Sequence, residues 1–565
     1  MDRIISSYLS EFIKNQEIKE KDISKQFEAF AAYSTISQRY DDTFELSDVM
    51  TGTGGDCGID AIAIICNGAL INATDEVDDL IEMNKNISEV EFIFIQAKTS
   101  SNFSGSEIGT FGAGIKDFFS DSPGMVQNND IRNKKKIIDH IYSKASKLRN
   151  NPKCVLYYVT TGKWVDDTNC LARIKIIEDD LDGENIFSKI EFCPVDSSLL
   201  QKYYRKTIDD IETTIKIEKQ VLLPDIPNVT QAFIGYLSYP EFYKLIYDED
   251  THDIRKSIFY DNIRDFQGAN NVNAEIAETV NNNPSDFLLY NNGVTIICNN
   301  IKNTRDEYTL SAYQIVNGCQ TSHVLFRNSD PQNTSLFIPV KLIETQDEFT
   351  INNIIKATNR QTEVTDDQLM TLGEFHKNLE DYYNSFEGNK RLYYERRSKQ
   401  YAYSADVEKV RIVSVSTQIK SIAAMFFDRP HMAARYYGRL LKNVGGLFDK
   451  NDKLVPYYTS AYVLYKLEFL FRNKMLDSRY RKYRFHLMML LKYDAAGKIN
   501  KVPRLSENKI EDFCKGILQC AYDNDLFVTK INDLCIIINN NVTDIDDQEM
   551  TKSGTLVENL KAVYQ

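Results

Sequence analysis

Apolar positions at the start of the chain recur at helical spacing. Ile4, Ile5, Tyr8, Leu9 and Phe12 fall on one face, and after a polar break residues 23–37 repeat the pattern with Phe27, Phe30 and Ala31. The glycine-rich string Thr51-Gly52-Thr53-Gly54-Gly55-Asp56-Cys57-Gly58 then predicts a turn. Continuous apolar runs at residues 59–65, 91–97, 154–160 and 190–195 predict buried strands, with helices over 115–119 and 134–148 between them. Residues 75–82 read as an acidic polar insert and residues 203–222 as a charged helix. The string Leu223-Pro224-Asp225-Ile226-Pro227 predicts a domain boundary. Beyond it, residues 293–298, 313–316 and 337–344 read as short strands among helices. Residues 405–565 read as mostly helical, with helices over 415–427, 461–472 and 485–492.

The expected architecture is therefore an α/β domain at 1–223, a mixed α+β domain at 224–404 and a mostly α-helical domain at 405–565. A chain of 565 residues is too long for one hydrophobic core, which agrees with several domains. No run of 18 apolar residues occurs and the N-terminus shows no secretory pattern, so a cytoplasmic protein with no membrane span is expected. The ten cysteines are scattered, with no C-x-x-C pair, and predict free buried thiols. The net charge of −14 means that any nucleic-acid contact rests on local patches rather than on the whole surface.

Chemistry concentrates in two strands. Asp60 opens an otherwise apolar strand, where a bare carboxylate is costly. Gln96 and Lys98 lie two apart near the end of the next long strand and so share a face. If these strands pair, the three residues converge at one end of a sheet. Asp60 would then hold Mg²⁺, with Mn²⁺ as a substitute, and the Gln96 side-chain oxygen or the Ala97 carbonyl would complete the site. Lys98 would orient water or stabilise a phosphorane-like transition state. The pattern Gly58-Ile59-Asp60 followed by Gln96-Ala97-Lys98 resembles the PD-(D/E)XK superfamily in its Q-x-K variant. That resemblance implies a restriction-endonuclease-like fold, a further metal-serving glutamate at Glu28 on the preceding helix, and cleavage of DNA in preference to RNA. It also implies a homodimer.

The central segment carries amide-rich strings at strand ends. They are Tyr290-Asn291-Asn292-Gly293, Asn317-Gly318-Cys319-Gln320-Thr321 and Ala357-Thr358-Asn359-Arg360-Gln361-Thr362. Asn-Gly is also a favoured tight-turn dipeptide, so these strings serve equally as turns. In this order they resemble the abortive-infection phage-resistance (AIPR) family. The resemblance implies a role in bacterial defence against phage, with the nuclease as effector and a phage trigger or partner defence protein as its signal. Asn292, Asn317, Gln320, Asn359 and Arg360 are candidate contacts to a nucleotide or nucleic acid. Arg391, Arg396 and Arg397, interleaved with tyrosines, form a candidate strand-binding patch, and Arg472, Lys474, Arg479, Arg481, Lys482 and Arg484 form another. The rival reading is a nucleotide- or nucleic-acid-binding sensor whose nuclease-like domain is inactive, Gln96 then marking a decayed site. A scaffold whose polar turns shape an oligomer interface is a third.

Overall fold

The computed structural model describes residues 1–52, 54–259, 271–359, 374–396, 400–401, 404, 407–433, 440, 446–547 and 549–565. The chain forms two compact units, one of residues 1–207 with 374–565 and one of residues 208–373. The N-terminal α/β layer and the C-terminal helices thus share a unit, and the division falls after residue 207 rather than at the predicted 223.

The first unit opens with helices α1 (Arg3–Asn15) and α2 (Ile23–Ile36). Each starts at an aspartate, Asp2 and Asp22, whose carboxylate accepts hydrogen bonds from otherwise unpaired first-turn N–H groups. Strands β1 (Ala61–Cys66) and β2 (Ala69–Leu70), helix α3 (Thr74–Asn84) and strand β3 (Val90–Lys98) follow. Next come α4 (Gly105–Phe119), α5 (Asn129–Ser143), β4 (Lys153–Thr160), α6 (Thr168–Asp182), β5 (Lys189–Val195) and α7 (Ser197–Lys206). The sheet order is β2-β1-β3-β4-β5, with β1 antiparallel to β3 and with β3, β4 and β5 parallel. Every residue of β1 and nearly all of β3 is buried, as expected for strands covered on both faces. One face packs Ile62, Ile64, Phe92, Phe94 and Leu156 against Ile108, Phe111, Ile115, Ile138 and Ile177 of α4, α5 and α6. Helix α2 packs against β3, with Phe27 and Phe30 fully buried. Each such phenylalanine contributes roughly 1.5–3 kcal/mol.

Two predicted segments differ. Residues 75–82 are the body of α3, because Val77 and Leu80 bury one face of an otherwise acidic helix. The stretch expected to be helical to residue 222 stops at Lys206. Residues Glu212–Lys216 (β6) and Lys219–Leu222 (β7) are strands, in keeping with the β-branched Thr213, Thr214 and Ile215.

The second unit contains β6, β7, β8 (Gln231–Ser238), α8 (Tyr239–Ile246), the short pair β9 (Tyr247–Asp248) and β10 (Asp253–Ile254), α9 (Asn271–Asn282) and α10 (Phe287–Tyr290). It continues with β11 (Val294–Thr304), β12 (Glu307–Asn317), α11 (Cys319–Asn328), β13 (Phe337–Glu344) and α12 (Glu348–Asn359). Its six-stranded sheet has the order β6-β12-β11-β13-β8-β7.

In the C-terminal part of the first unit, the helix Val455–Arg472 is buried nearly all round, as a central helix must be. The helices Val415–Phe426, Arg484–Ala496 and Lys509–Tyr522 pack against it. The described cysteines are all free, and among the described residues no helix is long and apolar enough to cross a membrane.

Candidate active site

The loop before β1 sets the position of Asp60. Gly52, Gly54, Gly55 and Gly58 all hold positive φ. The loop is pinned by Asn128, whose Nδ2 donates to the Thr51 and Gly54 carbonyls at 2.7 and 3.1 Å and whose backbone N–H donates to the Gly55 carbonyl at 2.7 Å. Asp56 accepts the Gly58 N–H at 2.9 Å. Gly114 on α4 lets the loop approach, since a Cβ there would sit 2.0 Å from the Cys57 carbonyl oxygen.

Antiparallel pairing of Ala61 with Ile95, carried back one residue, sets Asp60 opposite Gln96. The Asp60 N–H donates to the Ile95 carbonyl at 2.8 Å, and Asp60 Oδ2 accepts the Ala97 N–H at 2.8 Å. Oδ1 stays open. Burial pushes the Asp60 carboxyl up to about 7; the Ala97 hydrogen bond opposes this, the Glu28 charge adds to it, and the Lys98 and Lys25 charges oppose it. Glu28 is buried on α2 and paired with Lys25 at 2.6 Å. Gln96 is buried, and its Oε1 has no hydrogen-bond partner. Its Nε2 lies against Gly58, where a Cβ would approach to 3.1 Å. Lys98 is half-buried at the end of β3.

The sequence-predicted set thus comes together. The Asp60 carboxylate is partly buried without an ion-pair partner, and a carbonyl-type oxygen on the opposite residue lacks a donor. Two such oxygens suit a hard divalent cation, with Glu28 as a further carboxylate. Two neighbours escaped the sequence reading. Lys25 compensates Glu28, and Tyr158 on β4 donates from its hydroxyl to Glu107 on α4 at 3.1 Å within the electrostatic reach of Asp60. The i, i+3 spacing of Lys25 and Glu28 was a usable signal for the first. Nothing local marked Tyr158.

In the second unit, Thr295 pairs with Asn317, so the Asn292 and Gln320 turns meet at one end of the sheet. Asn292 is exposed, and Asn317 and Gln320 are half-buried. The glycines there are demanded by packing: a Cβ on Gly293 would meet the Pro339 carbonyl oxygen at 2.6 Å, and one on Gly318 would meet Val294 Cγ2 at 2.8 Å. Asn359 ends α12, with its side chain outside the described residues, as are Arg360 and Arg397. Two arginines of the predicted strand-binding patch are tied to the protein. Arg391 donates to the Asn384 and Phe386 carbonyls and to Asn384 Oδ1, and the buried Arg396 pairs with Glu380 at 3.1 Å.

The family model of the AIPR protein matches residues 259–543, half of the chain. The chain belongs to the AIPR family. No curated protein and no solved structure matches it. The AIPR match takes in β11 to β13 and most of the C-terminal helices, whereas the β1–β5 sheet with Asp60, Gln96 and Lys98 lies outside it.

Proposed function

We propose that the N-terminal α/β layer is a metal-dependent phosphodiesterase centre of PD-(D/E)XK type that cleaves nucleic acid, DNA in preference to RNA, in abortive-infection defence. AIPR membership supports the defence role. The observation that carries the catalytic reading is the facing pair of Asp60, desolvated and half-open, and Gln96, whose buried oxygen has no donor. Asp60 and Gln96, with Glu28, would hold Mg²⁺ or Mn²⁺. The ion, when bound, supplies charge that polarises a phosphodiester and acidifies water.

The chain's own residues supply the rest. The Ala97 N–H holds Asp60 in one rotamer, so its open oxygen is fixed in space. Lys98, two residues beyond Gln96 on the same face, orients the attacking water and offsets charge developing on the phosphate. Lys25 holds the Glu28 carboxylate in position through their ion pair at 2.6 Å. A homodimer would place two such centres on a duplex.

The test is cleavage of plasmid, linear duplex, single-stranded DNA and RNA with Mg²⁺ or Mn²⁺ by wild type, Asp60→Ala and Lys98→Ala. Cleavage by wild type alone is expected. Cleavage that survives both substitutions would refute the site.

A further inference from the structure

A cavity of about 1170 Å³ lies within the first unit, between the N-terminal layer and the C-terminal helices. It exceeds the roughly 300–1,000 Å³ of ordinary small-ligand pockets. Lys25 and Glu28 line it, Asp60, Gln96 and Lys98 do not, so it runs up to the candidate centre at Glu28. Arg472 at the end of the helix Val455–Arg472, Arg481 in the turn after it and Arg484 at the start of the helix Arg484–Ala496 also line it.

These arginines are not equally engaged. Arg481 pairs with Asp48 at 2.7 Å and Glu468 at 2.8 Å, and Arg484 pairs with Glu468 at 2.9 Å. The Arg472 side chain is only 6% exposed, yet it makes a single hydrogen bond, from Nη1 to the Gln16 carbonyl at 3.0 Å. Its Nε and Nη2 have no acceptor, and the Glu45 carboxylate is 4.0 Å from Nη2, too long for a hydrogen bond. Burial raises the Glu45 carboxyl, and the Arg472 charge opposes that. Arg481 Nη2 also lacks an acceptor. Among the described residues lining the cavity, every buried side-chain polar atom without a partner is therefore a guanidinium donor. Buried donors of this kind call for an acceptor of opposite charge, and a planar guanidinium fits phosphate oxygens.

We infer that this cavity is the binding channel for a single strand of nucleic acid, whose phosphates are held by Arg472 and Arg481 while the strand extends past Glu28 toward Asp60. The cavity's continuity with the catalytic layer favours a strand over a free nucleotide. Lys136, exposed at the rim on α5, adds a cation where the strand leaves. The inference rests on the proposed nuclease reading only for what happens beyond Glu28, and it is tested without cleavage.

The experiment is fluorescence anisotropy of a labelled single-stranded oligonucleotide in EDTA, across a salt series, with full-length wild type, Arg472→Gln, Arg472→Lys and Lys175→Ala. Arg472→Gln is expected to weaken binding about tenfold and to lower the salt slope by about 0.7, with Arg472→Lys in between. Lys175→Ala, at an exposed position of α6 outside the cavity, should bind as wild type does. Equal binding by Arg472→Gln would overturn the channel. Duplex bound as tightly with the same dependence on Arg472 would overturn the single-strand assignment, as would displacement of the oligonucleotide by mononucleotide at equal phosphate concentration. Lys136→Ala, at an exposed position where folding is not at issue, should also lower the salt slope by about 0.7, and an unchanged slope would overturn the channel. Binding without any cleavage in Mg²⁺ would sink the nuclease reading and leave the channel standing.

Discussion

Asp60→Asn separates the chemistry of the candidate centre from its stability. Burial raises the Asp60 carboxyl from 3.8 to about 7 in the folded chain. A raised carboxyl is a stability cost: folding favours the protonated form, so the contribution is intact below 3.8 and is lost as pH rises from 3.8 through 7. At pH 8 the rise from 3.8 to about 7 sets an upper bound of about 4 kcal/mol on that loss, reduced by the residual exposure of the side chain. Asparagine keeps an oxygen to accept the Ala97 N–H and carries no charge to desolvate. The metal-free variant should therefore melt a few degrees above wild type at pH 8, with the gap closing by pH 4. Mg²⁺ should raise the wild-type midpoint, because an ion bound only to the folded state stabilises it, and should leave the variant unmoved. Differential scanning fluorimetry with EDTA or Mg²⁺ across this pH range reads all three. A metal-free variant that melts below wild type at pH 8, or equal Mg²⁺ shifts in both proteins, would refute the reasoning.

Further outcomes follow from packing around the same layer. Gly114→Ala drives a methyl to 2.0 Å from the Cys57 carbonyl oxygen and must displace the loop leading to Asp60; cleavage should fall about 100-fold, as an ångström-scale misplacement implies, and unchanged kinetics would show that the loop does not position the centre. Arg39 is buried against Glu191 at 2.6 Å, Glu91 at 3.8 Å and the Tyr157 hydroxyl at 3.2 Å, so Arg39→Met should cost about 3 kcal/mol in urea unfolding by leaving Glu91 with Lys153 at 3.6 Å as its remaining cation. His376 and His486 are buried among the C-terminal helices and pushed down to about 4 and about 3, in both cases first by burial. Their neutral forms stabilise the fold above 6.5, and that stability is lost as pH falls from 6.5 toward those values. The pair should cost about 3 kcal/mol between pH 7.5 and 5.5, and a flat urea midpoint over that range would contradict the assignment. The homodimer expectation is checked by light scattering at the concentration used for cleavage.

Local pattern was enough for the elements whose burial is uniform. The runs at 59–65, 91–97 and 154–160 became β1, β3 and β4 because a strand covered on both faces has to be apolar throughout. Pattern also put Asp60, Gln96 and Lys98 forward as candidates, since a carboxylate opening an apolar strand and a Q-x-K ending another are visible without coordinates, and the structure sets Asp60 opposite Gln96. Pattern failed where polarity hid a single buried stripe, as in α3, and where charge masked β-branched spacing, as in β6. It also could not say which cations are spent. Arg391, Arg396 and Arg472 look alike in the chain, yet Arg391 makes three hydrogen bonds to Asn384 and Phe386 and Arg396 pairs with Glu380, whereas Arg472 Nε and Nη2 have no acceptor. Tertiary structure alone joined residues 1–207 to 374–565 in one unit, with Tyr158 and Lys25 beside Asp60 and with Glu28 and Arg472 lining one cavity. The physical reason is that hydrophobic period is a property of neighbours along the chain, whereas ion pairing and cavities depend on which distant segments the buried surfaces bring into contact.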